Sequence, residues 1–228
     1  MPLLVAELGN NHEGDFEKAK ELISVAMNSG ADIVKLHAFK AEDVDGIMPQ
    51  GFYKKCEFTF QQYLELINYG IDIGIDVFYT IFSTELNSLR HAQKWQKWES
   101  EQLQKHYTTI KKDDNYNVFI GLKDRGLKPE MKNAKMMHVS DCLTETPLLD
   151  QIEFLSEYYG RPVGYSDHTL GICNCMDAVN NYGAIFIEKH LTMTRNIYYN
   201  GKQYKDAIHS ALPWEMESLA REIKGGIH

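Results

Sequence analysis

The chain has 228 residues, 43% of them hydrophobic, and a formal net charge of −8. That apolar content fills the core of one domain spanning 1–228, leaves little for a second, and argues against disorder. Its 32 acidic residues outnumber 24 basic ones, and no apolar run approaches the roughly 18 residues of a membrane span, so neither nucleic acid nor a membrane is an expected partner.

Residues 3–8 (LLVAEL) are short and apolar and stop at Gly9, which reads as a buried strand. The first ten residues lack a basic segment and soon meet Glu7, so they do not read as a signal peptide, and a cytoplasmic location is expected. The polar turn NNHEGD leads into a helix whose apolar residues Phe16, Ala19, Leu22, Ile23 and Ala26 keep helical spacing as far as Gly30. Residues 31–39 (ADIVKLHAF) form a second strand. Strand, helix, strand is a βαβ unit, with parallel strands and a right-handed crossover. The rhythm continues with a helix at 60–69, a strand at 75–82 and a helical pattern at 85–95. Residues 94–117 are polar, glycine-free and rich in charge, and read as an exposed helix followed by a loop, with KKDD a solvated turn. Short strands are read at 118–122 and 135–140, a helix at 148–158, a strand at 162–168, a helix at 173–181 and a strand at 184–190. A loop rich in Tyr and Asn (195–206) and a helix at 213–224 complete the chain. This alternation predicts an α/β fold with a parallel sheet. The cysteines, Cys56, Cys142, Cys173 and Cys175, include a CxC but no CxxC, and read as reduced, buried thiols.

Residues two apart on a strand share a face. Glu7 follows Leu3 and Val5; Lys35 and His37 follow Ile33; Thr80 follows Phe78. Ser166 and His168 follow Gly164, and Glu188 and His190 follow Ala184 and Phe186. Each face is apolar or small first and polar at its C-terminal end, where parallel α/β folds carry their chemistry. His168 and His190 end consecutive strands, so both imidazoles can reach one divalent metal, or they are two structural histidines. Lys35 on an apolar strand needs an anionic ligand, or Glu7 as an ion-pair partner. With Thr80 and Ser166 it can cradle a phosphate or carboxylate.

These residues also carry a family pattern. AELGNNHEGD, GADIVK at 30–35, GYSDHTLG at 164–171 and IEKHLT at 187–192 together resemble the N-acetylneuraminate (sialic acid) synthase family, which includes the legionaminate, pseudaminate and spore-coat polysaccharide synthases. The similarity covers roughly residues 3–92 and 135–224. It implies a TIM (β/α)₈-type barrel that condenses phosphoenolpyruvate with an N-acyl-amino sugar aldehyde, giving a nine-carbon 2-keto acid and phosphate. It implies a divalent metal, Mn²⁺ by family habit, held by His168 and His190. Lys35, Thr80 and Ser166 then fall on phosphate and carboxylate contacts, and Glu7 and Glu188 on acidic active-site positions. The family's GPDHxxS aligns with KDAIHSALP, which places Asp206 on the sugar-binding aspartate and Ser210 on the serine.

The pattern breaks in the middle. The family strings KIxSGD and ILSTGM have no match, and one candidate strand stands between 93 and 134 where two are expected. Since a complete barrel takes about 250 residues, the fold expected is a barrel incomplete or rearranged there. Lys123 is a stand-in for the missing lysine, and Asp141 puts an anion where the family has an uncharged phosphate contact. His37 replaces a glutamine, the glycine, proline and histidine of GPDH are lost, and no C-terminal antifreeze-like domain is seen. A gap in the barrel would expose strand edges and favour a homodimer. Three readings remain: a trimmed synthase, a non-catalytic relative that binds metal, sugar or a protein, and a Schiff-base aldolase using Lys35 or Lys189.

Overall fold

In this computed structural model the described residues are 1–46, 48–99, 117–122, 134–140 and 147–225. Short apolar runs separated by amphipathic segments give eight strands: β1 (Leu3–Gly9), β2 (Ile33–Ala38), β3 (Asp76–Ile81), β4 (Trp95–Glu99), β5 (Asn117–Leu122), β6 (Ala134–Ser140), β7 (Val163–Asp167) and β8 (Phe186–His190). They form one sheet in the order β3-β2-β1-β8-β7-β6-β5-β4, and every described pairing within it is parallel. Chain-order neighbours other than β3 and β4 pair, and β1 also pairs with β8, which is barrel order. Around the strands stand α1 (Phe16–Asn28), α2 (Gln50–Cys56), α3 (Phe60–Ile73), α4 (Asp150–Tyr159), α5 (Cys173–Asn180), α6 (Lys205–His209) and α7 (Pro213–Ile223). No helix among the described residues is long and apolar enough to cross a membrane.

No ladder joins β3 to β4 among the described residues, so the barrel is nearly closed. The seam is stitched by side chains instead. The Gln93 amide accepts from Tyr79 N at 3.1 Å and donates to Tyr79 O at 3.2 Å, doing what a neighbouring strand would do. Lys94 Nζ and the Trp95 indole N–H both reach Asp76 Oδ2, at 2.8 and 2.9 Å.

Strand alternation divides the core into two layers. Leu4, Ala6 and Leu8 of β1 face outward and pack with Leu22 and Ile23 of α1 and Met216 of α7. Val5, Ile33, Phe78, Trp95, Phe119, Met137 and Phe186 fill the barrel interior. Local signals start and stop the helices. The Asp15 carboxylate caps α1 through Lys18 N at 3.1 Å, and Thr59 with Gln62 forms a capping box on α3.

Gly164 sits on the inner face of β7 because the Phe186 ring takes the space a side chain would need. A Cβ there would lie 2.4 Å from two ring carbons. Overpacking of this kind costs about 1–3 kcal/mol. Gly164→Ala is therefore expected to lower the Tm by about 2–12 °C for a domain this size, measured by thermal unfolding followed by circular dichroism. An unchanged Tm would show that Phe186 can repack.

The structure corrects several expectations. Residues 95–99 are a strand, not part of an exposed helix, so two strands stand between 93 and 134 and the full eight are present. Trp95, Gln96, Lys97 and Trp98 are all buried. The argument for a homodimer through missing strands loses its premise. The helical pattern at 85–95 is a 3-10 turn over Thr84–His91. The loop at 195–206 contains a hairpin, β9 (Tyr198–Tyr199) and β10 (Lys202–Gln203), turned by Asn200 and Gly201 at φ 49° and 77°. Cys56 and Cys175 are buried, but Cys173 is exposed. Cys142, Lys123, Asp141 and the KKDD turn lie outside the described residues.

Candidate active site at the barrel mouth

Above the apolar interior lies a layer of charge. Strand register sets Glu7 beside Lys35 on one side and His190 on the other, and Ser166 beside Glu188. Lys35 pairs with Glu7 Oε2 and, at 2.9 Å, with Glu188 Oε1. Lys97 reaches the same Glu188 oxygen at 2.6 Å, and the Ser166 hydroxyl donates to it at 2.9 Å. All five side chains are buried. Burial alone would raise the Glu188 carboxyl, but the two ammoniums outweigh it and hold the group below its ordinary value. His37, two residues beyond Lys35, is pushed down to about 3 by burial and by Lys35 and Lys97, so it is a neutral imidazole. Thr80 pairs with His37 in the strand register, and its buried hydroxyl has no hydrogen-bond partner among the described residues.

Three imidazoles meet beside this layer. His168 follows β7, His190 ends β8, and His209 ends α6. Their ring centroids are 4.8–5.2 Å apart, and one nitrogen of each lies within 4.8 Å of the others. His168 Nδ1 lies 2.8 Å from Ser140 O. A carbonyl only accepts, so Nδ1 carries a proton and Nε2 is the ring nitrogen left to face a metal. His190 Nδ1 and both ring nitrogens of His209 have no hydrogen-bond partner among the described residues. Burial and the neighbouring histidines lower the pKa of His190 well below its ordinary value, and burial and His168 take His209 to about 2. Neutral imidazoles with unsatisfied nitrogens are what a divalent metal requires.

A cavity of about 580 Å³ has Asn10, His37, Tyr53, Tyr204, Lys205 and Asp206 in its lining, and Asp206 Oδ1 stands 4.0 Å from His209 Nε2. Tyr204 donates to Asp206 Oδ2 at 2.5 Å. Gly9 (φ +49°) brings β1 past this point, and a Cβ there would stand 3.5 Å from His190 Cε1 and 3.7 Å from Asp206 Oδ2. Beyond Asn10, which lines the cavity, the NNHEGD turn holds the loops together. Asn11 Nδ2 donates to Leu191 O at 2.8 Å and to Ser210 Oγ at 3.0 Å, and His12 stacks on Phe58.

A model described as the NeuB family matches residues 130–226. The N,N'-diacetyllegionaminic acid synthase of Campylobacter jejuni is 30% identical over 97% of this chain and 75% of its own length. The chain belongs to the NeuB family. The human N-acetylneuraminate-9-phosphate synthase is 27% identical over 97% of this chain and 69% of that protein. The fold matches a crystal structure of N-acetylneuraminic acid (sialic acid) synthetase from Leptospira borgpetersenii in complex with citrate, with a TM-score of 0.81 and 26% identity over 98% of this chain and 82% of that one. The alignment with the C. jejuni protein runs over 260 residues, more than the whole of this chain, so that NeuB relative carries residues with no counterpart here.

The structure brings Glu7, Lys35, Thr80, Ser166, Glu188, His168 and His190 to one barrel mouth, with Asp206 on its cavity. Ser210 is placed differently. It is fully buried, donating to Asp206 O at 2.6 Å and accepting from Asn11, so it fixes the loop instead of lining the cavity. Lys189 faces outward between β7 and β8, buried against Asp167 Oδ2 and Thr169 O, both at 2.5 Å, and away from the cavity. Two residues of this buried cluster, Lys97 and His209, were not singled out from sequence. Lys97 stands where Lys123 had been the nominated second lysine.

Proposed function

We propose that this protein condenses phosphoenolpyruvate with an N-acyl-amino sugar aldehyde, giving a nine-carbon 2-keto sugar acid and inorganic phosphate. The observation that carries the reading is the meeting of two buried ammoniums, Lys35 and Lys97, at Glu188 beside three convergent imidazoles. An enol phosphate carries a carboxylate and a phosphate, and both need cations in a site from which water is excluded. Thr80 and Ser166 add hydroxyl donors to the same layer. The relatives' names, as legionaminic acid and N-acetylneuraminate-9-phosphate synthases, support a sugar-acid product.

The donor set fits a divalent metal held by His168 and His190; Mn²⁺ is the ion that the family resemblance suggests. When bound, the metal supplies a Lewis acid that polarises the aldehyde oxygen. The chain's own groups do the rest. Lys35 and Lys97 orient the phosphoenolpyruvate so that its methylene carbon forms the new bond to the aldehyde carbon. Water adds at C2, and the bond from C2 to the phosphate oxygen breaks to release phosphate. Of that water's two protons, one ends on the former aldehyde oxygen as the new hydroxyl and the other on the departing phosphate. Glu7, which also fixes Lys35, relays the transfer, while Glu188 stays ionised as the counter-ion of Lys35 and Lys97. Asp206 and Tyr204 hold the sugar hydroxyls in the cavity.

One observation favours a second reading. Among the described residues the two ammoniums already face two carboxylates, which balance their charge before any anion enters. On that reading the barrel binds metal and sugar without turnover. A phosphate-release assay with phosphoenolpyruvate, a panel of N-acyl hexosamines and Mn²⁺ separates the two. Release that disappears in His168→Ala is the expected result. Metal retained with no release from any sugar supports the binding protein.

A further inference from the structure

The geometry points to His209 as a third ligand of this metal site, giving a three-imidazole centre that prefers a borderline-soft ion, Zn²⁺ or Co²⁺, to Mn²⁺. The inference rests on the metal reading above and goes beyond it. In the GPDHxxS pattern the histidine falls on position 207, which here is Ala207, and position 209 is unspecified.

His209 is 1% exposed, yet neither ring nitrogen has a hydrogen-bond partner among the described residues. Its nearest carboxylate oxygen, Asp206 Oδ1, stands 4.0 Å from Nε2, beyond hydrogen-bond reach. A packed core histidine would be satisfied on at least one nitrogen, because a buried polar group left unpaired is costly. The ring lies instead 4.8 Å from His190 and 5.2 Å from His168, each centroid to centroid.

Its position is set by the barrel and not by a free tail. Residues 191 and 211 form a parallel bridge, with Ala211 N donating to His190 O at 2.7 Å and Thr192 N to Ala211 O at 3.0 Å. Ser210 ties back to Asp206 O, and Arg195 Nε donates to Ser210 O at 2.9 Å. Residue 209 is thereby carried to the end of β8. Three converging imidazoles make a nitrogen donor set that suits zinc, whereas Mn²⁺ favours oxygen donors.

The test uses the purified full chain stripped with a chelator and titrated calorimetrically with Zn²⁺, Co²⁺ and Mn²⁺, with metal content measured after dialysis. The variants are His209→Ala, His209→Phe (which keeps the volume filled) and His168→Ala, each checked for folding by circular dichroism. The wild type is expected to bind one Zn²⁺ per chain more tightly than Mn²⁺. Both His209 variants should lose more than about a hundredfold in Zn²⁺ affinity, since outer-shell partners alone are worth 10–100-fold, and much less for Mn²⁺. The Co²⁺ absorption spectrum should change between wild type and either variant. Folded His209 variants that bind Zn²⁺ as the wild type does, while His168→Ala does not, overturn the third ligand and leave the metal reading standing. A wild type that binds none of the three ions overturns both.

Discussion

Glu188→Ala is expected to lower the Tm by roughly 6–20 °C. One carboxylate oxygen of Glu188 accepts from Lys35 at 2.9 Å, Lys97 at 2.6 Å and Ser166 at 2.9 Å. Glu188 is 2% exposed and the two lysines 3%, so water cannot replace what is removed. Breaking a buried ion pair from one side costs about 3–5 kcal/mol, and each kcal/mol is worth about 2–4 °C in a domain of this size. Lys35 keeps Glu7. Glu188→Gln retains an acceptor and should lose less. If the mouth is an anion site, inorganic phosphate should raise the Tm of Glu188→Ala more than that of the wild type, by returning negative charge to the lysines. Thermal unfolding with and without phosphate reads both effects. An unchanged Tm would mean that solvent reaches the cluster.

The barrel was legible wherever a strand obeyed the simple rule of apolar residues followed by polar ones. β1, β2, β3, β7 and β8 are short apolar runs between helices, and their last inward residues, Glu7, Lys35, Thr80, Ser166, Glu188 and His190, could be read by counting in twos. β4 broke the rule. Trp95 and Lys97 face inward while Gln96 and Trp98 lie on the other face, and all four are buried. A strand with polar residues buried on both faces looks like a solvated segment when polarity is taken to mean exposure. A signal was there. Trp95-Gln96-Lys97 repeats the spacing of Ile33-Val34-Lys35, an apolar residue in the barrel floor and a lysine in the layer above.

His209 was hidden for a different reason. Its nearness to His190 depends on the bridge between Leu191 and Ala211, a long-range pairing of single residues that leaves no periodic trace. Ser210 was visible as a family serine, but its role follows from three partners that converge only after folding: Asn11, Asp206 and Arg195. Gly164 belongs with these. Only the position of the Phe186 ring explains why β7 begins its inner face without a side chain.

Lys97→Met separates the chemistry of the mouth from its stability. In this variant Glu188 still accepts from Lys35 and Ser166, both at 2.9 Å, so Glu188 is not stranded. The flexible methionine fills most of the vacated volume. The fall in Tm should therefore be smaller than in Glu188→Ala. Activity should respond in the opposite order of expectation for a mere structural ion pair. A point charge fixed in a dry site stabilises the departing phosphate without reorganising, and removal of one such donor costs about 10²–10³ in kcat. The expected result is a loss of that size in phosphoenolpyruvate-dependent phosphate release, with the fold and the metal content retained. Lys97→Arg, which keeps the charge but not the point geometry, should recover part of it. Wild-type phosphate release from Lys97→Met would reduce Lys97 to a counter-ion for Glu188, and would leave Lys35 as the cation that holds the substrate.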